Sequence, residues 1–459
     1  MSGGRLPVIC VAAALLAPLA PLRAQAVNSG LTVLSIATAA DYSTSHTVYA
    51  VGQRSQCTTG CTELWRTVDG GATWARAAAR GWERSTVLPV VVGRRAALVT
   101  AVAGGYALSY DAGETFQHID APGSPTAVTE GSAGAVELLL TGKDGSSDYV
   151  LGLPAGTTKA IPGDPSLDHL QINPSPAYGH SGANIPAAVA WGVDQAKRSE
   201  RLDWCDDALV CTPKAAISAG GQVVFSPTFA TDETLFLLSP NGLLRSTDGG
   251  VTLVPVTVMT SDSSTLITTV TSLAATPDFD TRSGHGTLFA GVVAASKSRS
   301  NTVSGGVFRS SDGGLSWQPS NDNAGLSSGV AALTMAPDGR LFAGTIQFGD
   351  SPGFVYCSAD GGRTWGNSCP PYKSAGTQSA AVRQDSPAGS KNSAPTPSPV
   401  STQAIGGGKT PAEPSALRQV ARLQSGFPAG RLAAGIAALL CVLAVITVVT
   451  RRKPAQGRR

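Results

Sequence analysis

Along residues 27–372, apolar residues either alternate with polar ones or stand together in runs of four to six, and clusters of Gly, Asp, Ser and Pro separate the runs. That period of two, broken by turn residues, predicts β-strands joined by tight connections. Two stretches are written repeatedly. One reads HTVYAVG at 46–52, ETLFLLS at 233–239, GTLFAGV at 286–292 and GRLFAGT at 339–345. Turn-forming strings precede the later copies: SPTFATD at 226–232, TPDFDTR at 276–282 and APDG at 336–339. The other stretch reads RTVDGGATW at 66–74, LSYDAGETF at 108–116, RSTDGGVTL at 245–253, RSSDGGLSW at 309–317 and CSADGGRTW at 357–365. Each unit therefore reads as turn, alternating strand, loop, strand, tight turn, strand.

The central aspartates, Asp69, Asp111, Asp248, Asp312 and Asp360, are 42, 137, 64 and 48 residues apart. The long gap is close to three ordinary ones, so two further units are expected inside it. One candidate is AVELLLTGKDGSSDYVLGLPAG at 135–156. The other is 187–217, where CDDALVC occupies the tight-turn position and a short disulfide would close the turn in place of the aspartate. Five visible units and two divergent ones make seven, within a range of six to eight. A repeat near 40–50 residues with about four strands in each unit predicts an all-β fold, a single β-propeller.

The nine-residue stretch resembles the Asp-box, or BNR repeat, S/T-x-D-x-G-x-T/S-W. The first two matches are Thr67, Asp69, Gly71, Thr73 and Trp74, then Ser109, Asp111, Gly113, Thr115 and Phe116. The third is Ser246, Asp248, Gly250, Thr252 and Leu253, and the fourth is Ser310, Asp312, Gly314, Ser316 and Trp317. The fifth is Ser358, Asp360, Gly362, Thr364 and Trp365. The resemblance implies that the box joins the third and fourth strands of a blade, on the face opposite the ligand site. Its chemistry is that of a clasp. A carboxylate accepts hydrogen bonds from turn N–H groups, glycine supplies the positive φ, hydroxyls bond across the hairpin, and an aromatic plugs the turn. No nucleophile or matched acid/base pair is part of it, and no cofactor or metal is implied.

The two ends of the chain change the picture. Residues 1–26 carry Arg5, an apolar run and AQA at 24–26, the form of a secretory signal peptide. Residues 432–450 are uncharged, about 28 Å long as a helix, and Arg451, Arg452 and Lys453 follow at once. A transmembrane helix over 431–450 with a cytoplasmic basic tail at 451–459 is expected. Between ectodomain and span, residues 373–430 are rich in Ser, Pro, Gly and Ala with few large apolar residues, which predicts a disordered stalk. The formal charge of +3 owes five positive charges to the last nine residues, so no broad basic field is left to favour nucleic acid. Six cysteines remain between signal and span, in three local couples. They are Cys57 with Cys61, Cys205 with Cys211, and Cys357 with Cys369. In an exported chain these read as disulfides rather than zinc ligands, since the five histidines show no metal-site spacing.

Sialidases carry the same box, and the resemblance would then require an arginine triad, a Tyr/Glu pair and an Asp acid/base. The sole Arg-Leu-Pro string is Arg5-Leu6-Pro7, inside the signal, and the arginines at 66, 245 and 309 belong to the boxes. Xyloglucanases use two tandem propellers, and this ectodomain has room for one. No spacing singles out a carboxylate pair for glycoside hydrolysis, and Asp206 and Asp207 read as turn residues beside Cys205. The expected function is non-catalytic binding or scaffolding at the cell surface, of a protein or glycan, on the face opposite the boxes. Long polar loops at 53–63, 294–306 and 345–353 are expected there, the first tied by a bond between Cys57 and Cys61. The alternatives are a glycan-processing hydrolase and a membrane-complex assembly factor similar to the photosystem II stability factors.

Overall fold

The computed structural model describes residues 31–371, apart from 55–61, 93–94, 131–135, 143–147, 163–166, 180–184, 259–265, 297–302, 321–325, 347–352 and positions 84, 195, 327 and 354. The expected signal peptide, stalk, transmembrane span and tail lie outside the described residues. Cys57 and Cys61 lie outside them as well, so the expected bond between Cys57 and Cys61 is not among the disulfides described below. Among the described residues no helix is long and apolar enough to cross a membrane.

Seven antiparallel sheets follow one another in sequence, six of four strands and one of three among the described residues. Together they form a seven-bladed β-propeller. Blade 1 takes Leu31–Thr38, Val48–Arg54, Thr62–Thr67 and Ala75–Arg76. Blade 2 runs from Val87–Val92 to Gln117–Asp120. The two divergent units become blade 3, from Gly123–Glu130 to Thr157–Ala160, and blade 4, from Leu167–Pro174 to Cys211–Ile217. Blade 5 extends from Gln222–Phe225 to Val254–Val256, and blade 6 from Leu266–Ala275 to Gln318–Pro319. Blade 7 has Val330–Met335, Leu341–Thr345 and Val355–Ser358, with Gly366 bridged to Cys357 in place of a fourth strand.

The apolar pattern follows from the packing of sheet on sheet. A second strand has a neighbouring blade on both faces, so it buries consecutive residues: Leu235–Ser239 and Leu341–Thr345 are buried at every position. A fourth strand lies at the rim, and Thr157–Ala160 is exposed throughout. The core is correspondingly divided into seven apolar clusters, one at each joint between blades. Register shifts between first and second strands in blades 1, 3, 4, 6 and 7 add the local twist that fans the blades apart.

Blade 7 closes the ring on blade 1 through side chains. Leu31 and Val33 pack with Phe342 and Val355. A Cβ on Gly344 would stand 2.4 Å from Val33, so glycine is required for that approach. The Tyr42 hydroxyl donates to Asp338, and the Arg340 guanidinium donates to the Gly70 carbonyl at 2.8 Å.

Candidate functional site

Strand order gives the ring two different ends. Connections between first and second strands, and between third and fourth, lie at the hairpin end; connections between second and third strands lie at the loop end. All five aspartate turns stand at the hairpin end.

Each turn is built in the same way. The hydroxyl two residues before the aspartate donates to its Oδ1 at 2.6–2.8 Å and accepts, at 2.7–2.9 Å, the N–H of the glycine two residues after it. The residue four positions after the aspartate donates its N–H to Oδ1 at 2.9 Å and its hydroxyl to Oδ2 at 2.5–2.6 Å. Serine or threonine is needed at both hydroxyl positions because each must donate to the carboxylate, and the first must also accept. Both oxygens of every carboxylate are thereby engaged inside their own turn. Partial burial pushes these carboxyls up, but the donated bonds outweigh it, so Asp69, Asp111, Asp248 and Asp360 all sit below the usual carboxylate value. Burial is outweighed at Asp312 too, where Ser316 is the main donor and the value falls to about 2.

The glycine two residues after each aspartate is also a seat for the preceding blade. A Cβ on Gly71 would meet the Phe342 ring at 2.6 Å; on Gly314, the Phe236 ring at 2.9 Å; and on Gly362, the Phe289 ring at 2.9 Å. Those phenylalanines are the aromatic residues of the other repeated stretch. At Gly113 and Gly250 the seat is filled by Leu64 and Leu202. The closing residues of the turns face the same way: Trp74 meets Phe342 edge-on, Phe116 packs with Leu64, and Trp365 packs with Phe289. Trp317 joins the Phe236 cluster and Leu253 the Leu202 cluster.

In blade 1 the arginine that opens the turn is a further clasp, which a reading of isolated repeats misses because its partner lies in the next blade. Arg66 donates to the Ala112 carbonyl at 2.8 Å and pairs with Glu114 at 2.7 Å. The Arg245 guanidinium lies so close to the next turn that a Cβ on Gly313 would stand 3.3 Å from it. In blade 4, where tryptophan replaces the arginine, Trp204 Nε1 donates to the Gly249 carbonyl at 2.7 Å.

Blades 3 and 4 close without the full motif. Blade 3 turns through Pro154 and Gly156, whose N–H bonds the Gly152 carbonyl at 2.8 Å. In blade 4, Cys205 and Cys211 form a disulfide across the turn. Asp206 accepts the N–H groups of Ala208 and Val210, each at 2.9 Å, while Asp207 accepts the Gly179 N–H. Cys357 and Cys369 are also joined. Cys369 lies beyond the Cys357–Gly366 bridge, and its N–H donates to the Gly71 carbonyl at 2.9 Å, so this bond ties the tail of blade 7 onto the first turn of blade 1.

At the loop end, the central parts of the expected loops, 55–61, 297–302 and 347–352, lie outside the described residues. The flanks carry buried charge. Glu63 accepts Arg54 through two bonds, 2.9 and 3.1 Å, and Trp65 Nε1 at 3.1 Å, with Arg76 at 3.3 Å. Burial pushes Glu63 up, but these partners prevail and hold its carboxyl below the usual value. In blade 4, Arg201 pairs with fully buried Asp203 at 2.7 Å and with Asp194 at 3.5 Å. Asp148, at the start of a third strand in blade 3, is different. Burial pushes its carboxyl up to about 6, opposed by a hydrogen bond with Thr141. Nothing in its local sequence separates it from other loop aspartates. Among the described residues, no group of three or more His, Cys, Asp or Glu is placed to hold a metal ion.

No protein-family model matches the chain, and no curated protein matches it. Solved structures similar to it include YCF48 from Cyanidioschyzon merolae, at 15% identity and a TM-score of 0.42, covering 69% of this chain and 93% of that one. A puromycin hydrolase mutant gives 12% identity and a TM-score of 0.47, covering 77% of this chain and 56% of that one. The Niastella koreensis GH74 enzyme gives 14% identity and a TM-score of 0.33, covering 73% and 65%.

Proposed function

We propose that the chain is an exported, membrane-anchored binding or scaffolding protein. Its Asp-box propeller presents a protein- or glycan-binding surface at the loop end, held away from the membrane by the 373–430 stalk. The observation that supports this is the saturation of the five turn carboxylates within their own hairpins. The repeated acids serve the frame, which leaves recognition to the segments that differ from blade to blade. Signal peptide, span and cytoplasmic tail enter this reading from the sequence.

The test is capture of partners by the full chain in its native membrane, run beside a glycan array and a fluorogenic glycoside panel. A retained protein or glycan without turnover is expected. Turnover of any glycoside would overturn the non-catalytic reading.

Asp148 gives the hydrolase reading a specific foothold, since a carboxyl near 6 suits general acid chemistry. Glycoside hydrolysis also needs a second carboxylate, and Glu63, Asp194 and Asp203 are tied to arginines. If the panel shows turnover, Asp148→Asn should abolish it.

A further inference from the structure

The joint between blades 6 and 7 departs from the other arginine joints in a way that points to a ligand. Between blades 1 and 2, the opening arginine of one turn, Arg66, pairs with the residue three positions after the next turn's aspartate, Glu114. The equivalent positions between blades 6 and 7 are Arg309 and Arg363. Two guanidinium groups thus stand where the other joint has an ion pair. Neither has a hydrogen bond or ion pair to a described residue through its side chain; Arg245 shares that lack but lies against the next turn, and Arg66 and Arg340 each donate to a backbone carbonyl of the following turn.

The backbone there is open too. At the preceding joints the first glycine of the turn is covered: a Cβ on Gly249 would strike Trp204 at 2.6 Å, and one on Gly313 would lie 3.3 Å from Arg245. A Cβ on Gly361 would meet nothing within 4 Å. The space is a cleft of about 410 Å³, lined by Arg309 and Arg363 together with Thr287, Ser311, Gln318 and Gly361. Asp360 also lines it, but its oxygens are occupied by Ser358 and Thr364.

We propose that this cleft is an oxyanion-binding site, taking a carboxylate or sulfate group between Arg309 and Arg363. Guanidinium groups bind planar and tetrahedral oxyanions through paired N–H donors. The hydroxyls of Thr287 and Ser311 and the Gln318 amide add neutral donors around the charge. The anion would supply the counter-charge that Glu114 supplies between blades 1 and 2. The site lies at the hairpin end and does not depend on recognition at the loop end.

The experiment is calorimetric titration of the full-length chain in detergent with inorganic sulfate and with glucuronate, at fixed ionic strength. Saturable binding is expected, and Arg363→Glu, which rebuilds the Arg66–Glu114 pairing, should weaken it at least about tenfold without loss of fold. The converse change, Glu114→Arg, should create a second site of the same kind between blades 1 and 2. Tighter binding of glucuronate than of sulfate assigns the site to sugar acids, and equal binding assigns it to free anions. Absence of saturable binding, or binding that Arg363→Glu leaves unchanged, would overturn the proposal.

Discussion

Blades 2 and 4 end their third strands in the same kind of turn by different chemistry. In blade 2, Asp111 gathers the N–H and hydroxyl of Thr115 and the hydroxyl of Ser109. In blade 4, Asp206 still accepts the N–H group four residues on, but Val210 has no hydroxyl to donate, Cys205 stands at the register position of the first hydroxyl, and the Cys205–Cys211 bond spans the turn instead. The ring thus requires a closed hairpin at that place and tolerates two ways of closing it. What blade 4 keeps is the contact with its neighbour: Leu202 fills the Gly250 seat, and Trp204 covers Gly249. The comparison separates a replaceable local turn from a joint between blades that is retained.

If the joint matters more than the turn, emptying a seat should have the largest effect. Phe342→Ala removes a fully buried ring from beneath Gly71 and is expected to cost about 3–5 kcal/mol in urea unfolding of the full chain. Gly71→Ala forces a Cβ against that ring at a φ of +92° and should cost about 2–3 kcal/mol. Because the two changes share one contact, their combination should cost less than their sum, and strict additivity would show that the seat is not shared. Opening the blade 4 turn by Cys205→Ser with Cys211→Ser should cost about 2 kcal/mol, the value for so short a loop.

The turns themselves come last. Asp111→Ala should cost about 1–2 kcal/mol, comparable with losing a helix cap. Asp206→Ala should cost less while the disulfide is intact and more once it is removed. Equal costs in the two backgrounds would show that the bond does not stand in for the missing hydroxyls.

Much of this frame was legible because it is periodic. Five aspartate motifs set the spacing, and the gap between Asp111 and Asp248 holds the two divergent blades that bring the count to seven. The pairing of Cys205 with Cys211 was legible because both residues flank one short turn. The joints were not. Phe236 and Gly314 are far apart in the chain and meet only when one blade packs on the next, so no local pattern records their contact. Asp148 was illegible for the same reason, since its raised value comes from burial by tertiary neighbours. Arg309 and Arg363 read as ordinary turn residues until the register of two blades sets them beside one cleft. The loop-end segments at 53–63, 294–306 and 345–353 share no repeated pattern, so nothing in the sequence places their side chains.

The central claim is that the repeated aspartates hold the frame in their ionised form, and Asp312 is the place to test it. Its folded carboxyl lies at about 2, below the unfolded value near 4, so its contribution is complete above pH 4 and is lost as pH falls toward 2. The measurement is the urea midpoint of the full chain, wild type against Asp312→Ala, from pH 6 down to 2. A lower midpoint is expected for the variant at pH 6, with a difference that narrows as pH falls from 4 toward 2. Equal midpoints at pH 6, or a gap that persists unchanged into acid, would contradict the claim.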